Sequence, residues 1–284
     1  MGLTIIGCGF VGMAVARQLQ SRRPLLPVTL TTTRQERCAE LSSLSDRVLV
    51  CDASDPTQLM RALQNSRTAV FCHGPSGNSQ VNADRYRQTF VESFTSLKSL
   101  LSDLPELQQI IYTGSCSVYG DANGGWVDES TAPDPGPGHG GVLLESEQLL
   151  RSFTDRQICI LRLAALYGPG RDLDARLRGL AGLERQGDGR SFSNWVHVDD
   201  AAGALVAAMD GAWNGVVNVV NDEPIRLRDL VDGSLKRQNL EPVRWQGSAR
   251  AGAGSSRRIR NDRLKSLGYR LKHPKLKGHA KCCP

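Results

Sequence analysis

An α/β fold, a parallel β-sheet doubly wound by helices, is what this 284-residue sequence predicts. Three features predict it. Short apolar runs alternate with helical patterns through the first two thirds of the chain. The first apolar run passes directly into a glycine-rich turn and then an apolar helix. Hydrophobic residues make up 40% and charged residues 23%, the balance of an ordinary globule with room for one large domain, or a core with a small cap.

The strand candidates are 3–7, 28–32, 47–51, 68–72, 109–113 and 158–163, with helical patterns at 11–20, 35–44, 56–64, 85–101 and 143–154. Strand-helix-strand spacing of this kind implies right-handed crossovers and a sheet covered on both faces. Residues 122–141, including Asp134-Pro135-Gly136-Pro137-Gly138, read as one long loop, and long loops in compact domains are often functional. A further strand at 215–220 precedes Asn221-Asp222-Glu223-Pro224, after which the pattern is irregular and 247–256 reads as small and flexible. The expected division is a core over 1–165 and a small C-terminal, substrate-binding portion over 166–284, interleaved with the last core strands and helix.

Gly7-Cys8-Gly9-Phe10-Val11-Gly12 fits G-x-G-x-x-G directly after a strand and at the start of a helix, the context that gives the pattern meaning. Gly7 permits the tight turn, Gly9 lets backbone approach a pyrophosphate, and Gly12 lets helix and strand pack closely. Phe10 and Val11 open the helix, whose N-terminal N–H groups and dipole favour phosphate. The fold expected is therefore of Rossmann type, with a dinucleotide cofactor. At the end of the second strand an NAD site would carry an acid for the ribose hydroxyls. Here the run is Thr31-Thr32-Thr33-Arg34, whose hydroxyls and guanidinium suit a 2′-phosphate, so NADP is expected in preference to NAD. Asp52 ends the third strand; it reads as an adenine contact or as a strand-end cap.

Eight cysteines show no C-x-x-C pair and no zinc spacing with histidine, so neither a metal nor a disulfide framework is expected. No apolar run reaches the ~20 residues of a membrane helix. The start of the sequence shows no basic region and cleavage site, so a cytoplasmic location is expected. The net charge of +6 is concentrated from Arg257 onward, where ten Lys or Arg face one acid, Asp262, for +9, leaving −3 elsewhere. No aromatic interleaving or nucleic-acid motif accompanies these charges, so a solvated or ligand-facing role is expected rather than nucleic acid. Cys282-Cys283-Pro284 fits no lipidation motif.

Several later segments resemble the extended short-chain dehydrogenase/reductase family of NAD(P)-dependent epimerases and dehydratases. They are Ser115-Cys116-Ser117-Val118-Tyr119-Gly120, Asp128-Glu129, Arg162 with Tyr167-Gly168-Pro169-Gly170, Asn194-Trp195-Val196-His197-Val198-Asp199-Asp200, and Arg263-Leu264-Lys265-Ser266-Leu267-Gly268-Tyr269. They occur in the family's order over nearly the whole chain. The resemblance implies hydride chemistry with a catalytic Ser at Ser115. It also implies a Tyr-x-x-x-Lys pair on the helix after the long loop, with the Tyr as acid/base and the Lys lowering its pKa. This sequence departs there: alignment places His139 and Leu143 at the two positions, with no Tyr between Gly120 and Leu166 and no Lys between Lys98 and Lys236. The chain thus resembles the atypical members that lack the pair.

The candidate catalytic residues are Ser115, His139 and Tyr119, the last with packing in its turn as the alternative. His139 sits in Gly138-His139-Gly140-Gly141, which reads as a flexible setting. Tyr86, Asn194, Trp195 and Arg257 are candidates for the substrate side. The expected function is an NADP(H)-binding oxidoreductase or nucleotide-sugar epimerase-like enzyme with altered acid/base residues, acting on a polar, anionic metabolite. The alternative is a non-catalytic NADP(H)-binding sensor or scaffold. A small-molecule substrate is the expected partner, a homodimer the expected assembly, and no membrane association is expected.

Overall fold

The computed structural model describes residues 2–75, 83–136, 138–247 and 255–276. Cys282 and Cys283, and most of the 247–256 stretch, lie outside the described residues. Strands β1 (Gly2–Ile6), β2 (Val28–Thr32), β3 (Arg47–Val50), β4 (Ser66–Phe71) and β5 (Gln109–Ser115) join the strands Gln157–Leu163 and Gly215–Val219 in one seven-stranded sheet. Its order is Gly215–Val219, Gln157–Leu163, β5, β4, β1, β2, β3. The pairs β1–β2, β2–β3, β1–β4 and β4–β5 are parallel. The chain winds outward from β1 to β3, then returns to place β4 on the other side of β1. That reversal opens a crevice at the C-terminal ends of β1 and β4, where ligands of open α/β sheets bind.

The helices are α1 (Phe10–Arg22), α2 (Cys38–Leu41), α3 (Pro56–Leu63), α4 (Ala83–Arg87), α5 (Ser93–Leu100), α6 (His139–Arg151), α7 (Leu173–Arg178), α8 (Val198–Asp210), α9 (Leu227–Arg237) and α10 (Asp262–Ser266). Three differ from the sequence reading. The helix expected over 35–44 is a 3₁₀ turn followed by the single turn of α2. The long helix expected over 85–101 is split by a π-helical turn, Gln88–Glu92, between α4 and α5. Helix α6 starts at His139 rather than four residues later. Gly138 at its N-cap has φ of +109°, which turns the chain sharply into the helix. A Cβ on Gly140 would lie 2.7 Å from Pro135 Cβ, so this glycine is there for close packing and not for flexibility.

The chain forms two compact units, each assembled from separated stretches. The first comprises Met1–Val118, Pro135–Arg162 and Ala201–Val217; the second comprises Tyr119–Asp134, Leu163–Asp200 and Asn218–Pro284. In the first unit the aromatic residues Phe71, Phe94 and Tyr112 are fully buried and meet edge to face, with centroids about 5 Å apart, a geometry that adds to simple area burial. The second unit is built on four two-stranded pieces. Trp126–Val127 pairs with Arg258–Ile259, and Ala165–Tyr167 with Trp195–His197, both in parallel. Phe192–Ser193 pairs antiparallel with Ile225–Arg226, and Glu184–Gln186 parallel with Arg244–Gln246.

The first unit also buries an ion pair. Arg162, on Gln157–Leu163, forks onto Glu147 of α6, with Nη2 to Oε2 at 2.7 Å and Nε to both carboxylate oxygens at 3.1 Å. Their side chains are 3% and 1% exposed. Gly114 of β5 makes room for the carboxylate, since a Cβ there would lie 2.9 Å from Glu147 Oε1. Burial pushes the Glu147 carboxyl up, while the hydrogen bonds and charge of Arg162 pull it back down. Removing one partner leaves the other charge buried and unpaired. Glu147→Ala should therefore cost about 3–5 kcal/mol of stability in urea unfolding, whereas the double variant Glu147→Met with Arg162→Met should recover most of that loss.

Candidate active site

The glycine turn after β1 has the geometry of a phosphate cradle. Gly7 has φ of +80°, and a Cβ there would lie 2.4 Å from the His73 Cα. At Gly12 a Cβ would fall 2.8 Å from the Gly7 carbonyl and 3.3 Å from Ile5 Cγ2, so α1 packs directly on β1. At Gly9 a Cβ would meet nothing within 4 Å. The position with no steric demand inside the protein is thus the one that faces open space at the start of α1. Gly7 N–H donates to Thr31 Oγ1 at 2.9 Å and Cys8 N–H to the Thr31 carbonyl at 2.7 Å, which pins the turn to β2. Phe10 and the buried Val11 form the first residues of α1, with no acid in its first turn. These features fit a dinucleotide pyrophosphate.

Beside the turn lies a cavity of 280 Å³, lined by Gly7, Thr33, Arg34, Asp52, His73 and Arg85 among others. Thr32 is buried, and its hydroxyl accepts the Arg34 N–H at 3.2 Å. The Arg34 guanidinium is more than half exposed, 3.9 Å from Glu36. The Asp52 carboxylate is already engaged, accepting from Ser54 N at 2.9 Å and Ser54 Oγ at 2.7 Å, so it closes the turn after β3. Two lining residues escaped the sequence reading. Arg85 comes from α4, far along the chain, and no spacing rule links it to the turn. His73 follows β4, where it reads as an ordinary loop residue. Outside the cavity lining, Arg37 lies across the glycine turn: Nη1 donates to the Cys8 carbonyl at 2.8 Å and Nη2 approaches Met13 Sδ at 2.9 Å. Only the position of Arg37, three after Arg34, pointed toward it.

His73 is packed among Phe71, Phe90, Phe94 and Tyr112, with centroids 5.5–6.4 Å away. Both ring nitrogens are buried without a partner in ordinary hydrogen-bond geometry among the described residues. Burial drives the imidazole pKa down to about 4, against smaller opposing pulls from the Thr89 backbone and the Asp52 charge. The residue is therefore neutral at neutral pH.

The candidate catalytic residues of the first unit sit around β5 and α6. Ser115 ends β5 and its hydroxyl accepts the Ser117 N–H at 3.1 Å, shaping the turn. That turn reaches the start of α6, since a Cβ on Gly140 would lie 3.5 Å from the Ser117 carbonyl. His139, in the first turn of α6, stacks on Tyr86 of α4 with centroids 4.2 Å apart and planes at 21°. Arg87 forks onto Glu145 and ties α4 to α6 alongside this stack. Tyr86 also packs on Phe90, and burial raises its hydroxyl pKa. Leu143 is buried in the core.

The other candidates lie in the second unit and are structurally engaged. Tyr119 is buried, and its hydroxyl donates to Asn218 Oδ1 at 2.8 Å. This bond occupies it in packing. Asn194 clamps the strand Arg258–Ile259: Nδ2 donates to the Arg257 carbonyl at 2.9 Å and Oδ1 accepts the Ile259 N–H at 3.0 Å. Trp195 is buried beside Leu173, Leu230 and Leu276. Arg257 donates to the Gly120 carbonyl and to Ser255 Oγ. Next to it, Arg258 stacks over Trp126 and Phe192 at 5.0 and 5.1 Å, and Arg260 over Trp126 at 5.2 Å.

Residues 3–220 match the NAD dependent epimerase/dehydratase family, and the chain belongs to that family. It is 30% identical over 282 residues to Protein YeeZ of Escherichia coli (strain K12), with 96% of each chain covered. It is 29% identical over 271 residues to the 3-diazoavenalumate denitrifying reductase of a Streptomyces species, covering 84% of this chain and 87% of that one. A double mutant of DesIV, the dTDP-glucose 4,6-dehydratase of Streptomyces venezuelae, with NAD and DAU bound, superposes with a TM-score of 0.80 at 21% identity over 96% of this chain and 92% of that one, a likeness of fold. More distant relatives include the D-erythronate dehydrogenase of Cupriavidus necator, 28% identical over 195 residues, covering 63% of this chain and 60% of that one, and the dTDP-L-rhamnose 4-epimerase of Burkholderia thailandensis, 23% identical over 259 residues, covering 72% and 71%. Among the described residues, no helix is long and apolar enough to cross a membrane.

Because a Cβ at Gly9 meets no protein atom, Gly9→Ala should leave urea-unfolding stability within about 0.5 kcal/mol. The same change should weaken dinucleotide binding at least tenfold by calorimetry, because it would place a methyl group where a pyrophosphate cradled by this turn would approach. Unchanged affinity would displace the cradle. His73 supplies a pH dependence. A base whose folded pKa lies below its unfolded value stabilises the fold above the unfolded pKa and loses that contribution as pH falls. With a folded pKa of about 4 against 6.5, the loss runs from about pH 6.5 down to about pH 4. Between pH 7 and 4.5, wild type should lose about 2 kcal/mol more stability than His73→Phe.

Proposed function

We propose that this protein is an NADP(H)-dependent oxidoreductase with rearranged acid/base machinery, reducing or oxidising a polar, anionic small molecule. The observation that carries the cofactor choice is the lining of the cavity beside the phosphate turn. Arg34 and Arg85 are its cations, and its acid, Asp52, is turned onto Ser54. A 2′-phosphate suits such a surface, and charge-assisted hydrogen bonds from guanidinium groups are the strong kind. Gly7, Gly9, Phe10, Val11 and Gly12 would hold the pyrophosphate against α1, and Thr32 would shape the ribose end through Arg34. The bound dinucleotide supplies or accepts the hydride. For carbonyl reduction, Ser115 donates a hydrogen bond to the substrate oxygen and His139 delivers the proton that turns it into an alcohol; in oxidation His139 takes that proton back while Ser115 still donates to the same oxygen. Tyr86 orients the imidazole by stacking and borders the substrate. Within the second unit taken by itself, the arginines beside Trp126 present positive charge suited to an anionic group.

Leu143 favours a second reading. With a buried leucine where the family's lysine would stand, a chain that holds NADP(H) without turnover is the rival, a sensor or scaffold. Cofactor titration and turnover separate the two. NADPH should bind at least about tenfold tighter than NADH, a difference of ~1.4 kcal/mol, and Arg34→Asp should erase the preference. NADPH oxidation on a panel of anionic carbonyl compounds should fall by 10²–10⁴-fold in His139→Ala, the usual range for a proton donor. Equal affinity for the two cofactors would remove the NADP assignment. Tight NADPH binding without turnover across the panel would establish the sensor reading.

A further inference from the structure

We infer that His197, Asp199 and His273 form a binding site for a divalent transition-metal ion of the zinc class. The three side chains come from two places far apart in sequence, the start of α8 and the segment after α10. One ligand atom from each lies within 4.8 Å of the others. His197 Nδ1 and His273 Nε2 are each 3.5 Å from the same carboxylate oxygen, Asp199 Oδ2. That spacing is too long for a charge-assisted hydrogen bond, which runs 2.7–2.9 Å. It matches the separation of roughly 3.4 Å between two ligands that each sit about 2.1 Å from a tetrahedral ion. Two imidazoles and one carboxylate form a donor set for zinc and its neighbours rather than for magnesium or calcium, which take oxygen ligands.

The surroundings hold the donors in place. The fully buried Asp200 carboxylate accepts the backbone N–H groups of Lys272 at 2.7 Å and His273 at 2.8 Å, and faces the Tyr269 hydroxyl at 3.2 Å. These bonds lock the His273 segment against the first turn of α8. Tyr167 meets the His197 ring edge to face at 5.0 Å, fixing its orientation. The Asp199 N–H donates to His197 Nδ1 at 3.1 Å, which marks that nitrogen as the unprotonated one and engages its lone pair in the absence of an ion. Metal binding exchanges this neutral hydrogen bond for a coordinate bond. The two imidazole rings lie with centroids 3.8 Å apart and planes tilted by 31°, so one ring must rotate for both in-plane lone pairs to meet at one ion. His273 sits in the more exposed segment and is the ring with room to move. His197 and His273 also line a 380 Å³ cavity that includes Asp172 and Asp174, giving an ion a route in and leaving solvent to complete its coordination. The bound ion would fasten the C-terminal segment to α8.

The test uses tag-free, full-length protein carrying His279→Gln, Cys282→Ser and Cys283→Ser, so that donors elsewhere in the tail do not report. Zinc is titrated by calorimetry, and cobalt(II) by its visible absorption. The expected result is one ion per chain, with visible cobalt bands of a low-coordinate nitrogen and oxygen site. His273→Gln and Asp199→Asn should each weaken binding at least tenfold. Asp199 is half exposed, so Asp199→Asn keeps the test valid even where His273→Gln perturbs the fold, which circular dichroism reports. Failure of both ions to bind at 100 μM (about a hundredfold above a micromolar site), or stoichiometric binding that neither substitution weakens, would overturn the site.

Discussion

The buried ion pair between Glu147 and Arg162 sets the position of α6, and with it of His139, in the first unit. A charge pair in an apolar interior survives only where its geometry is near ideal, because each partner has given up its water. The forked contact between Arg162 and Glu147 therefore fixes both the rotation and the height of α6 against the strand Gln157–Leu163. The glycine at 114 is the matching concession on β5, one residue before Ser115. With α6 held in that register, its first residue stands next to Tyr86 and beside the turn that Ser115 shapes. The stack of His139 on Tyr86 is thus a downstream result of electrostatics buried about two turns away, and not a property of the glycine-rich segment around it.

What the sequence made legible follows from how local each signal is. The phosphate turn is readable because all its requirements fall within a few consecutive residues: a positive φ at Gly7, open space at Gly9 and close packing at Gly12. The parallel sheet with helices on both faces is readable because strands and helices alternate along the chain. The start of α6 was hidden because Gly140 and Gly141 suggest a loop, when in fact the missing side chain at Gly140 admits Pro135. The π turn at Gln88–Glu92 was hidden because its apolar spacing still reads as one helix. Arg85 and His73 reach the cavity beside the glycine turn from α4 and from the end of β4, so only the three-dimensional arrangement brings them to Arg34.

Tyr119 and Asn194 show the opposite case, where a polar residue in a recognisable motif is spoken for by its neighbours. Their hydrogen bonds to Asn218 and to the Arg257–Ile259 backbone hold the second unit's short strands together. A motif can thus persist for its architecture. Polar groups with buried partners are costly to free, since breaking such a bond leaves one side unsatisfied. Residues whose polar atoms face a cavity, such as Arg34, carry no such obligation.

The seven-stranded sheet has a consequence for how this chain is made. Its outermost strand, Gly215–Val219, arrives last, and it covers Gln157–Leu163, a strand buried along six of its seven residues. A ribosome adding about 5–20 residues per second leaves that apolar edge uncovered for several seconds after it emerges. Open edges of this kind invite pairing with other chains. The first unit cannot close as a nascent domain until Ala201–Val217 has been synthesised. Its folding is therefore tied to synthesis of three quarters of the polypeptide, and premature termination before that point would expose a sheet ready to aggregate.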